Sequence, residues 1–252
     1  VMRLLDPRSI GTPLEDLGME ESLRLLVEKE IRKPNGMLLT TGPTGSGKTT
    51  ALYACLKKVS TTATKIMTIE DPVEYHLPGI VQTQVTKEYT FLLALRAALR
   101  QDPDIIMVGE IRDGDVARTA IDAALTGHFV FSTLHTNDAA GAFPRLAALG
   151  IDPKFIGSAI SVALAQRLTR TLCSACKKEV PYEGALKERM DKLIERVRRM
   201  MPEKVPEHPQ VFEPAGCVVC NNTGYKGRIG IYEGIVVDAE IDQFVRTSPS
   251  EH

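Results

Sequence analysis

Residues 42–49, Gly-Pro-Thr-Gly-Ser-Gly-Lys-Thr, satisfy the spacing G-x-x-x-x-G-K-[ST], a pattern able to wrap a string of phosphates. Gly42, Gly45 and Gly47 permit tight turns in which successive N–H groups face inward. The helix that follows adds partial positive charge at its N-terminus. Lys48 would reach the β- and γ-phosphates of ATP, and the Thr49 hydroxyl would join the shell of a Mg2+ ion. Pro43, Thr44, Ser46 and Thr50 complete the expected nucleotide-binding segment. The alternative is a glycine-rich turn that holds nothing. An apolar strand before the loop and a helical pattern after it favour the phosphate reading.

Carboxylates at strand ends are natural companions of such a loop. In residues 102–110, Asp-Pro-Asp-Ile-Ile-Met-Val-Gly-Glu, four apolar residues lead to Gly109 and then Glu110, whose carboxylate would meet Mg2+ directly or through a water. By itself the stretch reads equally as a core strand with a polar end. A second acidic cluster at 69–75, Ile-Glu-Asp-Pro-Val-Glu-Tyr, offers Glu70, Asp71 and Glu74 as groups to orient an attacking water. A positioned general base contributes about 10² to 10⁴ in rate, but carboxylates at strand ends are often mere helix caps. Thr133, His135 and Asn137 end a third apolar run and are placed to sense a γ-phosphate. A lone histidine there is as readily a hydrogen-bonded structural residue. Arg96, Arg100 and Arg112 lie near the second acidic strand. An arginine aimed at a transferring phosphoryl group supplies roughly 10³ to 10⁵, and nothing in their spacing ranks the three.

Four of the five cysteines form two C-x2-C pairs, Cys173 with Cys176 and Cys217 with Cys220, separated by 40 residues. Four thiolates would close a tetrahedral structural Zn2+ site with no open position for catalysis. The gap exceeds the roughly 15 to 20 residues of a common zinc ribbon, and an insertion at about 177–216 accounts for the surplus. The competing reading is four reduced, unliganded thiols. Cys55 sits at helical spacing among apolar residues and reads as a small core side chain.

The elements that must position these groups follow from periodicity. From residue 37 to about 165, short apolar runs alternate with helical patterns, which implies βαβ crossovers and a mostly parallel sheet covered on both faces. A helix over 13–33 precedes them. Within 177–216, Leu186, Met190, Leu193, Ile194, Val197 and Met201 form one helical stripe among charged residues, expected to pack on its own domain, with docking of a partner as the alternative. A proline-rich loop at 201–210 follows it. The whole is read as an α/β chain: 1–20 a tail and linker, 21–165 the nucleotide-binding core, 166–233 a cysteine subdomain, and 234–252 the start of a further region. A length of 252 residues and 43% hydrophobic content suit a sizeable core. No apolar run is long enough to cross a bilayer. A net charge of −1 argues against a generally basic nucleic-acid binder.

Taken in order, these motifs resemble the secretion ATPases that power type II secretion and type IV pilus assembly, the GspE/PilB-type motors. Residues 41–54 look like the family's Walker A segment and 68–75 its Asp box. Residues 95–113 look like its Walker B segment, 124–139 its His box, and 216–233 the second half of its tetracysteine site. The resemblance implies a RecA-like P-loop ATPase using Mg2+. It implies Glu110 at the metal, Glu70 as the catalytic base and His135 near the γ-phosphate. It further implies a homo-hexamer working at the cytoplasmic face of the inner membrane, acting on a membrane platform protein. Retraction motors of the family lack the tetracysteine site, so the cysteines imply assembly. Set against the family, residues 1–20 resemble only the tail of its N-terminal domains and 234–252 only the start of its C-terminal region, so the chain is expected to be a motor-core fragment. Asp115 stands where the family more often has Glu.

Two other functions compete. One is a retraction or DNA-translocating motor with the same core. The other is a zinc-ribbon nucleic-acid-binding module whose P-loop is only regulatory. That module requires a basic, aromatic-bearing surface. Tyr225, Lys226 and Arg228 would begin one, but Glu213 and Glu233 lie close in sequence to the same segment.

Overall fold

The computed structural model describes residues 12–200 and 210–247. The opening Val-Met-Arg-Leu-Leu-Asp, most of the proline-rich stretch with Met201, and the last five residues lie outside the described residues. The strands are β1 (Gly36–Thr41), β2 (Ile66–Glu70), β3 (Val81–Gln84), β4 (Ile105–Val108), β5 (Phe129–Leu134), β6 (Ile160–Leu172), β7 (Lys178–Val180), β8 (Val211–Glu213) and β9 (Tyr225–Val236). The helices are α1 (Glu21–Glu30), α2 (Lys48–Val59), α3 (Phe91–Leu99), α4 (Gly114–Leu125), α5 (Ala142–Ala148), α6 (Pro153–Ala159), α7 (Gly184–Met200) and α8 (Ala239–Arg246). The chain divides into two compact units, with boundaries at 168/169 and 229/230.

The large unit is built on a sheet ordered β3-β2-β4-β5-β1-β6-β9. The pairs β1–β5, β1–β6, β2–β3, β2–β4 and β4–β5 are all parallel. Every residue of β1, β2, β4 and β5 is buried, as strands covered on both faces require. Alternation along each strand divides the core. Ile106 and Val108 join Leu39 and Val130 in one cluster with α3, α4 and α6, whereas Ile105 and Met107 join Phe129 and Phe131 in another with α1 and α2. Each such side chain contributes roughly 1.5–3 kcal/mol of transfer free energy. Helix starts are fixed by side-chain caps: Thr90 for α3, Asp113 for α4, Asp152 for α6 and Asp238 for α8.

The expected helix over 13–33 is two pieces. Leu14–Leu17 forms one 3-10 turn that ends at Gly18 with φ 83°, and α1 begins afresh with Glu20 accepting from the N–H groups of Ser22 and Leu23. Glycine in the left-handed region is a helix stop, so the apolar period runs through a break that the period alone does not reveal.

The small unit, residues 169–229, holds the four cysteines, the antiparallel pair β7–β8 with Lys178 opposite Glu213, and α7. The stripe on α7 is not covered as expected: Leu193 is 54% and Val197 46% exposed, and no described side chain of the helix is buried.

Candidate functional site

Parallel packing brings the ends of four strands together. Thr40 of β1 lies opposite Thr133 of β5, Val108 of β4 opposite Ser132, and Ile69 of β2 opposite Val108. One register therefore delivers the phosphate loop, Glu70, Glu110 and His135 to the C-terminal edge of the sheet, where open α/β sheets bind ligands. Strand β5 lies between β1 and β4, so Glu110 reaches the loop from two strands away. A cavity of about 140 Å3 opens there, lined by Lys48, Thr49, Glu70, Glu110, Thr133 and His135 among others.

The loop itself needs its glycines. A Cβ on Gly42 would stand 2.4 Å from the Gln166 carbonyl oxygen, and one on Gly47, whose φ is 92°, would stand 2.8 Å from Gln166 Nε2. Lys48 Nζ donates to the carbonyls of Gly42 at 2.8 Å and Pro43 at 3.1 Å, which folds the ammonium over the loop. Burial lowers its pKa, and the charge of Glu110 opposes that shift. Pro43, Thr44 and Gly45 are exposed, Ser46 is buried, and Gly47 through Thr50 are half-buried.

Glu70 is 3% exposed and is surrounded by donors. Tyr53 donates its hydroxyl to Oε2, while Thr68 Oγ1 donates to Oε1 at 2.5 Å and Gln82 Nε2 to Oε1 at 3.1 Å. Burial, then the Glu70 carboxylate, push the Tyr53 phenol well above its ordinary pKa, so it stays a donor. Asp71 and Glu74 also line the cavity, with Asp71 at its exposed rim.

Glu110 accepts from Arg112 at Oε1, and His135 Nε2 stands 3.5 Å from Oε2. Burial works against the charged carboxylate, but the guanidinium and then His135 outweigh it and hold the Glu110 pKa below its ordinary value. Arg112 also stands 3.8 Å from Asp71. Arg112 is thus the arginine that meets these carboxylates. Arg96 and Arg100 are exposed on or after α3, and none of the three arginines lines the cavity; Arg112 lines a neighbouring one instead. Thr133 lines it while donating its hydroxyl to the Gly109 carbonyl at 2.9 Å. Asn137 lines a neighbouring cavity of about 470 Å3 instead.

The four cysteines form a second centre. Their sulfurs lie within 4.8 Å of one another. Cys173 Sγ to Cys217 Sγ is 4.0 Å, Cys176 to Cys220 3.7 Å, and Cys217 to Cys220 3.8 Å. A tetrahedral ion with metal–sulfur bonds of about 2.3 Å requires about 3.8 Å between sulfurs, so the donor set fits zinc. Burial pushes the Cys220 thiol up, but the N–H groups of Cys217 and Gly224, each 3.2 Å from its sulfur, and the neighbouring thiols bring it down to about 6. Burial and the neighbouring thiols push the Cys176 thiol the other way, up to about 12, so without an ion the cluster favours the thiolate at Cys220 rather than at Cys176. Cys55 is a buried core residue, as expected from its spacing.

Sequence reasoning missed Tyr53, Gln82 and Gln166. Tyr53 falls one turn after Thr49, on the same face of α2, a spacing that signals it in retrospect. Gln82 belongs to β3, whose Gln-Thr-Gln lacks the apolar signature of a strand. Gln166 is buried with Oε1 unpartnered.

A phosphate loop at the head of a parallel sheet, with carboxylates ending the neighbouring strands, defines a P-loop α/β protein of the RecA-like class. All 252 residues match the family described as Type II/IV secretion system protein, and the chain belongs to that family. It is 46% identical over 253 residues to "Type II secretion system protein E" of Aeromonas hydrophila, covering 100% of this chain and 48% of the relative. It is 48% identical over 244 residues to "Type IV pilus assembly ATPase PilB" of Thermus thermophilus, covering 96% of this chain and 26% of the relative. The chain thus spans about half the length, or less, of these relatives. Among solved structures it resembles the pilus retraction motor PilT, crystallised with ADP, at a TM-score of 0.66 and 27% identity over 94% of this chain and 56% of that one.

Proposed function

We propose that this chain is the motor core of an ATPase that drives type IV pilus assembly or type II secretion. The observation that carries the reading is the convergence of Lys48, Thr49, Glu70, Glu110 and His135 on one cavity at the strand ends. Its family and its relatives' names support the same reading.

In this reading, residues 42–50 cradle the phosphates and Lys48 leaves its loop carbonyls for the β- and γ-oxygens. Thr49 and Glu110 would hold Mg2+, which when bound neutralises charge on those oxygens. Glu70 accepts a proton from water as the water oxygen bonds to the γ-phosphorus. The bond from that phosphorus to the bridging oxygen breaks, and ADP leaves with the electron pair. His135 and Arg112 hold the Glu110 carboxylate, and His135, which lines the cavity, faces the γ-phosphate. Cys173, Cys176, Cys217 and Cys220 hold Zn2+ as a structural ion and favour assembly over retraction. The working form is a homo-hexamer in the cytoplasm, held at the inner membrane by a platform protein. No helix among the described residues is long and apolar enough to cross a membrane.

The test is steady-state ATP hydrolysis by the intact protein that carries this chain. Glu70→Gln should keep nucleotide affinity within about two-fold while turnover falls by roughly 10² or more. Undiminished turnover would remove Glu70 from the base role.

A further inference from the structure

A carboxylate offers about four lone-pair positions. At Glu70, donors among the described residues fill three of them: Thr68 and Gln82 on Oε1, and Tyr53 on Oε2. One acceptor position on Oε2 is left, on a side chain that lines the nucleotide cavity while being 3% exposed. A general base needs such restriction. If it rotated freely, its proton-accepting lobe would spend most of its time off the line of attack.

The donors have different origins. Tyr53 stands on α2, four residues after Thr49, so the phosphate-loop helix carries the hydroxyl that fixes Glu70. Gln82 stands on the edge strand β3 and closes the other side. Its Nε2 also donates to the Tyr75 carbonyl at 2.9 Å, and its Oε1 accepts from Leu77 N–H at 2.6 Å. Gln84, two residues on, accepts from Val73 N–H at 3.2 Å. Strand β3 thereby pins the 71–77 loop that follows Glu70, and the Tyr53 and Tyr75 rings meet edge-on with centroids 6.4 Å apart. Its polar residues, which hide it as a strand, are the ones that build this clamp.

We infer that Tyr53 and Gln82 are positioning residues that orient Glu70 so that its one remaining acceptor position faces the attacking water. The inference rests on the proposed role of Glu70 as base. It also makes the phosphate-loop helix and the base a single rigid assembly, because one helix presents both Thr49 and Tyr53.

The experiment is hydrolysis and nucleotide titration on the intact protein with Tyr53→Phe, Gln82→Met and Glu70→Gln, singly and with Tyr53→Phe and Glu70→Gln combined. Tyr53→Phe keeps the ring and its packing. We expect its kcat to fall about ten-fold or more with KM within two-fold, and Gln82→Met to do the same to a smaller degree. The double variant should turn over no more slowly than Glu70→Gln alone, because a residue acting through Glu70 has nothing left to act on. Two outcomes overturn the inference: Tyr53→Phe and Gln82→Met with unchanged kcat, or a loss in the double variant that multiplies the single ones. Should Tyr53→Phe lose melting temperature and affinity together, Gln82→Met, half-buried on the edge strand, decides by the same kcat criterion. An active Glu70→Gln enzyme would instead remove the base reading itself, whatever Tyr53→Phe does.

Discussion

Arg112 donates a guanidinium hydrogen bond to Glu110 from only two residues away, while His135 stands at the other carboxylate oxygen. The carboxylate proposed to meet Mg2+ is therefore held between two cationic or ionisable partners. Because the folded state depresses the Glu110 pKa below 4.5, its ion pair contributes stability that is complete above that value and is lost as pH falls through the lower, folded-state pKa. Arg112 is 61% exposed, so solvent screening limits the pair to about 1 kcal/mol or less. Arg112→Ala should lower unfolding stability by at most that amount at pH 7, and the difference should shrink toward zero in acid. Urea unfolding at pH 7 and pH 3 checks it. A deficit undiminished in acid would assign Arg112 to packing rather than charge.

Lys48 holds two loop carbonyls at 2.8 and 3.1 Å and, in the proposed function, exchanges them for phosphate oxygens. Charge-assisted hydrogen bonds contribute about 1.5–3 kcal/mol, which is roughly a 10- to 100-fold change in affinity. Lys48→Ala should weaken ATP binding by that factor or more and abolish turnover, read by fluorescent-nucleotide titration. ATP affinity within two-fold of the parent would place the phosphates elsewhere.

The sulfur spacings of 3.7 to 4.0 Å suit a metal that ties two distant chain segments. Structural zinc contributes on the order of 10–16 kcal/mol of apparent binding free energy in small domains. Cys217→Ser should drop zinc from about one per chain toward zero and open residues 169–229 to protease, while the phosphate-loop unit keeps its nucleotide affinity. Metal analysis with limited proteolysis tests both halves. Retained zinc in the variant would refute the four-thiolate site.

Much of this arrangement was legible in the sequence because the relevant signals were local. Buried parallel strands such as Ile105–Val108 are unbroken apolar runs, and the phosphate loop has fixed spacing. Illegible features depended on tertiary partners. Gln82, Thr83 and Gln84 form a strand only because the end of β2 offers backbone groups and a carboxylate to satisfy. The identity of the interacting arginine was hidden too. Arg96, Arg100 and Arg112 are equivalent in spacing, and only the turn after β4 brings Arg112 back onto Glu110. The stripe on α7 predicted an apolar face correctly, but periodicity does not say whether that face is covered.

Gly47 gives the sharpest test of the loop's packing, because two glycines in the same loop differ in what surrounds them. Gly45 has φ 79° with nothing within 4 Å of an added Cβ, whereas Gly47 has φ 92° and Gln166 Nε2 at 2.8 Å. Alanine at either position pays for a left-handed backbone, about 1–2 kcal/mol. Only at position 47 must a buried glutamine also move, and Gln166 already has an unpartnered Oε1. Gly47→Ala should therefore lose roughly 1–3 kcal/mol more than Gly45→Ala, or about 2–12 °C in melting temperature for a chain of this size. It should also bind nucleotide more weakly, since the loop's N–H groups are displaced with it. Pairing each change with Gln166→Ala separates the two costs. The excess at position 47 should disappear when the glutamine is shortened, while the cost at position 45 should remain. Equal losses at both positions in the parent background would show that backbone strain alone governs the loop.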